Sequence, residues 1–490
     1  MPQDSDPKPN ETTSSKTDKP QKSDRSDKTK RSQSAVPQSF VGRAGRLAAT
    51  SLKGSMRFAI TAPRSLLGNK ETAARLFSEL HSKSAQDLVE TLGRLKGASM
   101  KVGQLASFID AGVLPPETRD MYQQTLASLR DAAPAMEPKL VKQVFVREFD
   151  AEPEDLFASF EVVPAAAASL GQVHHAVLHD GREVAVKVQY PGIASAIKSD
   201  LAMTAAVKPL MPLLAPGLDA DDALEEIRAR VLEECNYVSE AKNLNLLADH
   251  YQDHPFVWVP RSIPDRSTSK ILTMERATGA TFDEVKKMDR AKRDAFGEKL
   301  FRFYYGSLHR YGFTSADPHP GNYLLMDDGR VACYDFGLVC ELTDDVREGL
   351  RKAFLALCER DVESFFEHGK ALRYVSNPEK TSPIRFYNWV RFSLAPLVED
   401  EEYTFTRAFI AERTAAMLDV RNEWWDFLRR LNLPRWAILQ FRLELGLFAV
   451  LAQLDATGNW HRMTLEFYGE RGPSTPLGEQ EKEWLTASTL

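Results

Sequence analysis

The chain has 490 residues, 43% of them hydrophobic and 27% charged, with a formal net charge of −6 at pH 7. That length suggests two or three domains or one two-lobed enzyme, the composition is that of a globular chain, and the acidic balance speaks against a general nucleic-acid-binding role. The four cysteines, Cys235, Cys333, Cys340 and Cys358, form no C-x-x-C pair and are too few for a disulfide framework, so a reducing, cytoplasmic compartment and four buried thiols are expected.

Residues 1–38 are mostly Ser, Thr, Lys, Asp and Pro, with almost no large apolar side chain. Such a segment buries too little surface to offset ordering entropy, and a disordered tail is expected over residues 1–39. It has no apolar core, so no secretory signal is expected. From 40 to 69 the character changes. Arg43, Arg46, Lys53, Arg57, Arg64 and Lys70 alternate with Leu47, Leu52, Met56, Phe58, Ile60, Leu66 and Leu67, and no acid stands between Asp27 and Glu71. A basic amphipathic helix of this kind either lies on anionic membrane lipids or packs on the rest of the protein with its arginines solvated. Both readings stay open.

Leu76, Leu80, Leu88, Leu92, Leu95 and Met100 recur at helical spacing. This helix contains Gly97, Lys101, Gly103 and Gln104. Two glycines weaken a helix and suggest close packing on another element, and Lys101 and Gln104 share a face. Pro115-Pro116 ends the segment, and residues 118–148 look like a further helical pair. Together, residues 40–150 read as a helical extension.

β-type patterning starts near residue 160. A short run over 160–163 leads to a small-residue loop, Pro164, Ala165, Ala166, Ala167, Ala168, Ser169, Leu170, Gly171 and Gln172. A strand over 173–178, the turn Asp180-Gly181 and a strand over 183–188 follow, with Lys187 inside the second. Small residues let backbone amides approach phosphates, and a strand lysine contacts them directly. Lys187 alternates onto the face opposite Val186 and Val188, so simple exposure is the competing explanation. A lysine in this role needs a carboxylate partner. The acidic helix over 223–249 offers several, and the choice falls on Glu240 for Lys187 and Glu234 for Lys101. Residues 256–260 and 270–275 read as two more strands. The second runs into a hinge where backbone groups from Glu275 to Ala277 would meet an adenine edge. Residues 291–311 are helical, with Phe296, Leu300, Phe303, Tyr304 and Leu308 on one face.

The densest signal is Asp317-Pro318-His319-Pro320-Gly321-Asn322, followed by two apolar runs joined at Asp328-Gly329 and then by Asp335-Phe336-Gly337. An Asp five residues before an Asn, a hairpin and a D-F-G in register form the skeleton of the protein-kinase signature. The chemistry needs a carboxylate (Asp317) near the attacking hydroxyl, and an amide (Asn322) and second carboxylate (Asp335) to hold Mg2+ across the phosphates of ATP. No Ala-Pro-Glu follows. Thr343 looks like the N-cap of a helix starting almost at once, which leaves little room to dock a peptide. A small molecule, a lipid or water is therefore the expected acceptor. Residues 344–469 are helix-compatible throughout, and the last ~20 residues look loose. The longest apolar stretch, 437–456, carries Arg442, Glu444 and Asp455, and so falls short of the ~18 uncharged residues that span a bilayer.

Taken together these motifs resemble the AarF/UbiB (ADCK) family of atypical kinases, over about residues 88–338. Lys101-Val102-Gly103-Gln104 matches the K-x-G-Q of that family, residues 165–172 its alanine-rich loop, and Lys187 its nucleotide lysine. Asp317 to Asn322 and Asp335-Phe336-Gly337 match its catalytic and metal motifs. Glu240 falls on its lysine-paired glutamate. Glu234-Cys235-Asn236 matches its E-x-D only in part, because Asn236 replaces the acid. The resemblance implies an α+β, two-lobed protein-kinase-like fold. It would have an N-lobe over 151–276, a mostly helical C-lobe over 277–470 and a tail over 471–490. The helical extension would cover the nucleotide cleft, with Lys101 paired to Glu234. It also implies Mg-ATP binding, ATPase activity and support of isoprenoid quinone (ubiquinone) biosynthesis at a membrane, with quinone-biosynthesis proteins as partners. The expected roles are Asp317, Lys187, Glu240, Lys101 and Glu234 as catalytic residues, and Asn322 and Asp335 as metal ligands. Ala166, Ala167, Ala168, Ser169, Gly171, Gln172, Lys187, Glu275 and Ala277 would meet the nucleotide. Two rivals remain at this point: a nucleotide-dependent pseudokinase scaffold, and a small-molecule phosphotransferase of the aminoglycoside type.

Overall fold

The computed structural model describes residues 136–168, 170–195, 225, 228–229, 232–375, 377–418, 424–428 and 431–488. The expected tail over 1–39, the basic segment 40–69, the Lys101 helix and most of the helical extension lie outside the described residues. So do Ser169, residues 196–224 and most of the first part of the acidic helix.

Antiparallel pairing organises the first half. Strands β1 (Ser159–Phe160), β2 (Ala166–Ala168), β3 (Gly171–Val177), β4 (Glu183–Gln189) and β6 (Ile271–Glu275) form one sheet in the order β1-β3-β4-β6, with β2 also on β3. The alternation along β4 decides what each face does. Val184, Val186 and Val188 are fully buried with Val141, Val144 and Phe145 of helix α1 (Pro138–Phe149). Lys187, on the other face, points into the interior rather than to solvent. The second sheet face meets helix α2 (Tyr237–His250). Its buried residues Tyr237, Glu240, Leu244, Leu247 and Ala248 fall at threes and fours, the stripe of a helix with one covered side. Asn236 is the N-cap, its side chain accepting from Val238 N at 3.1 Å.

Helix α3 (Arg290–Phe301) continues through a π turn, Arg302–Gly306, into α4 (Ser307–Tyr311). Phe296, Leu300, Phe303, Tyr304 and Leu308 are buried, as their spacing predicts. Strand β7 (Phe313–Ser315) then pairs with β10 (Val339–Glu341), Ser315 opposite Val339. Between them stands the hairpin of β8 (Tyr323–Leu325) and β9 (Val331–Cys333), turned at Gly329 with φ 84°. Strand β5 (Val257–Trp258) joins β9 in parallel, so the expected strand at 256–260 belongs to the hairpin and not to the first sheet.

The rest is helical: α5 (Asp344–Cys358), α6 (Val362–Ala371), α7 (Pro383–Ser393), α8 (Arg407–Leu418), α9 (Arg435–Leu454), α10 (Trp460–Phe467) and α11 (Pro476–Ser488), with a two-strand pair β11 (Tyr403–Thr404) and β12 (Thr457–Gly458). Thr343 caps α5. Helix α9 is long and apolar enough to cross a membrane, but 61% of its apolar window is buried inside the fold, where it packs on β10, α3 and α8.

Two expectations need correction. The alanine run is half of a hairpin: Ala166, Ala167 and Ala168 pair with Val173, Gln172 and Gly171. A run of small side chains carries no alternation signal, so pairing with β3 decides its conformation. The loose C-terminal tail over 471–490 is also overturned. Residues 476–488 form α11, docked by Leu477 and by Trp484, which stacks on Tyr251 and meets His254 edge-on, and pinned by ions. Glu481, 1% exposed, accepts from Arg310 Nη1 at 2.6 Å and from Arg302 Nη1 at 2.9 Å, and Trp484 Nε1 donates to Gln252 O. Burial alone would raise the Glu481 carboxyl; His254, Arg310 and Arg302 outweigh it and hold its pKa well below the usual range.

Candidate active site

Lys187 is delivered by β4, Glu240 by the covered stripe of α2 and Asp335 by the end of the β8–β9 hairpin. They meet at one ammonium. Lys187 Nζ donates to Glu240 Oε1 at 2.5 Å and to Asp335 Oδ2 at 3.3 Å, with Lys187 only 7% and Glu240 6% exposed. Burial opposes the lysine charge, but Asp335 and Glu240 outweigh it and raise its pKa, so the ammonium persists across the physiological range. Burial also pushes the Glu240 carboxyl up against the pull of Lys187. The short contact favours the charged pair.

The β7–β10 ladder places the two polar loops side by side. Ala316 N donates to Leu338 O, Ser315 Oγ donates to Asp335 O, and Gly337 N donates to Asp335 Oδ1 at 3.2 Å. Phe336 is fully buried beside Phe303, and Asn243 of α2 donates to its carbonyl. Gly337 is the point of convergence. A Cβ there would stand 3.5 Å from Glu240 Oε2, 3.6 Å from Asp335 Oδ1 and 3.8 Å from Glu234 Cγ. Glu234 is therefore part of this cluster; its expected partner Lys101 lies outside the described residues.

In the loop itself, Asn322 Nδ2 donates to Asp317 O at 3.0 Å, which leaves the amide oxygen as the end available to a cation. Asp335 and Asn322 together offer hard oxygen donors. Among the described residues no three His, Cys, Asp or Glu side chains stand as a metal cluster. This donor set fits a magnesium ion that takes its remaining ligands from phosphate and water. The carboxylate of Asp317 accepts from Arg442 Nη2 at 2.8 Å.

The expected nucleotide loop is the β2–β3 turn. Gly171 is forced by close approach: a Cβ there would stand 2.1 Å from the Val188 carbonyl oxygen. Gln172 faces away from that task. Its buried side chain accepts from Met136 N at 2.7 Å and bonds His174, so only its backbone is left to meet a phosphate. At the hinge, Glu275 N donates to Arg261 O and its carboxylate accepts from Arg261 N. That leaves Ala277 to supply the expected hinge N–H. Sequence reading missed Arg442 as a site residue, although a charge inside an otherwise apolar, buried helix is itself a signal, because such charges are buried only when paired.

A strand lysine gripped by a helix glutamate beside a D-F-G aspartate is how the protein-kinase fold prepares for phosphate, and the chain has a kinase-like α+β domain. Residues 128–369 match the family model of the ABC1 atypical kinase-like domain. Similar curated proteins include the mitochondrial atypical kinase COQ8B of Rattus norvegicus, 30% identical over 61% of this chain and 56% of that one. They also include the mitochondrial atypical kinase COQ8 of Saccharomyces cerevisiae, 29% identical over 64% and 62%, and AarF domain-containing protein kinase 1 of Gallus gallus, 30% identical over 68% and 64%. The chain thus spans less than two thirds of the length of each of these relatives. Among solved structures, the Rv3197 protein of Mycobacterium tuberculosis, determined as a complex with erythromycin, is 29% identical with a TM-score of 0.58, over 82% of this chain and 100% of that one. The chain thus carries, over residues 128–369, an atypical kinase-like domain of the ABC1/AarF (UbiB) family.

Proposed function

We propose that the chain binds Mg-ATP in a cleft between two lobes and acts as an atypical kinase or ATPase supporting isoprenoid quinone (ubiquinone) biosynthesis or lipid metabolism. In this reading residues 151–276, the first sheet with α2, are the N-lobe, residues 277–470 form the C-lobe, and residues 40–150, which end in α1, form an extension whose Lys101 pairs with Glu234. It works from the cytoplasm, meeting a membrane surface through residues 40–69. The observation that carries the reading is Lys187 Nζ within hydrogen-bond distance of both Glu240 and Asp335. That contact supports a nucleotide role because a buried ammonium aimed at the metal carboxylate is what a polyphosphate requires.

When bound, magnesium supplies charge neutralisation across the phosphates. The protein's part is positional. Lys187, braced by Glu240, would hold the α- and β-phosphates. Asp335 and the Asn322 amide oxygen would hold the ion. Asp317 would orient the attacking hydroxyl or water, and the β2–β3 turn from Ala166 to Gln172 would lie over the phosphates by its backbone. Replacing Asp335 by Asn keeps the shape and removes the ligand charge. Mg-dependent phosphate release from ATP, measured with and without anionic liposomes, is expected to vanish in D335N. Unchanged release would overturn the reading, and nucleotide binding by the wild type without any release would favour a scaffold role instead.

A further inference from the structure

Phosphoryl transfer builds charge on the oxygens around the transferred phosphorus, and sites of this kind hold a cation there. The loop from Asp317 to Asn322 contains no Lys or Arg. Four carboxylates surround the site, Glu234, Glu240, Asp317 and Asp335. Lys187 is already shared between two of them. The second cation among the described residues comes from elsewhere: Arg442, on α9, donates through Nη2 to Asp317 Oδ1 at 2.8 Å, with the arginine side chain 12% and the aspartate 24% exposed. The helix that carries it is a rigid support. Leu443 and Leu447, which follow the arginine on the helix, are both fully buried, and α9 packs on β10, the strand that follows Asp335-Phe336-Gly337.

We propose that Arg442 is a positioning residue for phosphoryl transfer, fixing Asp317 through Oδ1 so that Oδ2 orients the attacking O–H, and holding a guanidinium beside the transferred phosphoryl. This rests on the Mg-ATP reading above. In the transfer, the acceptor O–P bond forms as the bond from the γ-phosphorus to the bridging oxygen breaks. The nucleoside diphosphate leaves with that electron pair, and the acceptor proton passes to Asp317 Oδ2 and on to solvent. A charge-assisted contact between a planar guanidinium and a carboxylate sets orientation better than a lysine would.

The test uses the full chain with R442M and R442K, and D335N beside them. R442M is expected to lose roughly 100-fold in kcat for phosphate release, the scale for one transition-state donor, with KM for MgATP within about 2-fold of wild type because the ground-state contacts remain. R442K should recover part of kcat, and guanidinium ion added to R442M should recover part as well. A readout without turnover accompanies this. MgADP should raise the melting temperature of R442M as it does the wild type, while the extra rise with aluminium fluoride, which mimics the transferred phosphoryl, should disappear. Wild-type kcat in R442M, a raised kcat, a change in KM alone, or R442K as inactive as R442M would each overturn the assignment. Should R442M fail to melt cooperatively, R442K decides: partial kcat with a reduced aluminium-fluoride shift supports it, and wild-type values for both overturn it. The two readings fail separately. Turnover surviving in D335N, or absent from the wild type, overturns the Mg-ATP reading and this inference with it. A silent D335N beside an unaffected R442M overturns only the role of Arg442.

Discussion

Removing the Glu481 carboxylate tests whether the last helix is part of the fold. Arg302 has no exposure, and it is held by Glu298 at 2.7 Å, Glu466 at 2.9 Å and Glu481 at 2.9 Å. Arg310, on α4, binds both oxygens of Glu481, at 2.6 and 3.0 Å. In E481A, Arg302 keeps two carboxylates, so its loss is partial, whereas Arg310 loses both contacts. Orphaning a buried charge costs about 3–5 kcal/mol. At roughly 2–4 °C per kcal/mol for a domain of a few hundred residues, that is a fall in Tm on the order of 10 °C. The assay is thermal unfolding followed by near-ultraviolet circular dichroism. The control is E367Q, which removes the half-exposed i, i+3 pair Lys370–Glu367; exposed pairs of this kind barely affect stability. The pH dependence follows from the same network. The folded carboxyl of Glu481 sits below its unfolded value, so the unfolded chain takes up the proton first. Its stabilisation is therefore complete above the unfolded carboxylate pKa of about 4.3 and is lost as pH falls below that. An E481A chain melting within about 2 °C of wild type, with the same loss of stability on acidification, would refute the view that ions pin α11.

G171A should destabilise the chain and weaken the shift of its melting temperature by ATP, because the new methyl meets the Val188 carbonyl backbone and β3 must move from β4; an unchanged melt and ATP shift would count against that packing. In urea titrations N236A should cost about 1 kcal/mol by losing the cap of α2, while N236D, an equally good cap, should be neutral. E240Q should lower affinity for ATP, measured calorimetrically, because Lys187 keeps a neutral acceptor there but loses the charge that braces it opposite Asp335; equal affinity would remove Glu240 from the site.

Much of the site was legible in short stretches. The turns at Asp180-Gly181 and Asp328-Gly329, the alternation along β4 and the five-residue spacing from Asp317 to Asn322 are all set within a few residues, where local sterics and periodicity act. Glu240 is singled out among several acids by the family resemblance, and in the fold it stands in phase with Tyr237, Leu244 and Leu247 on the covered face of α2. What lay beyond reach was the fate of charges. Arg442 reaches Asp317 across 125 residues, and Glu481 reaches Arg302 across 179. Seen along the chain, the first counted only against a membrane span and the second lay in a tail that looked loose. Neither has a period or a turn signal to announce it. A charged side chain is costly to bury alone and stable when paired, so only the folded arrangement, by choosing its partner, decides whether it is a solvated surface group or the pin that holds a helix or a catalytic loop in place.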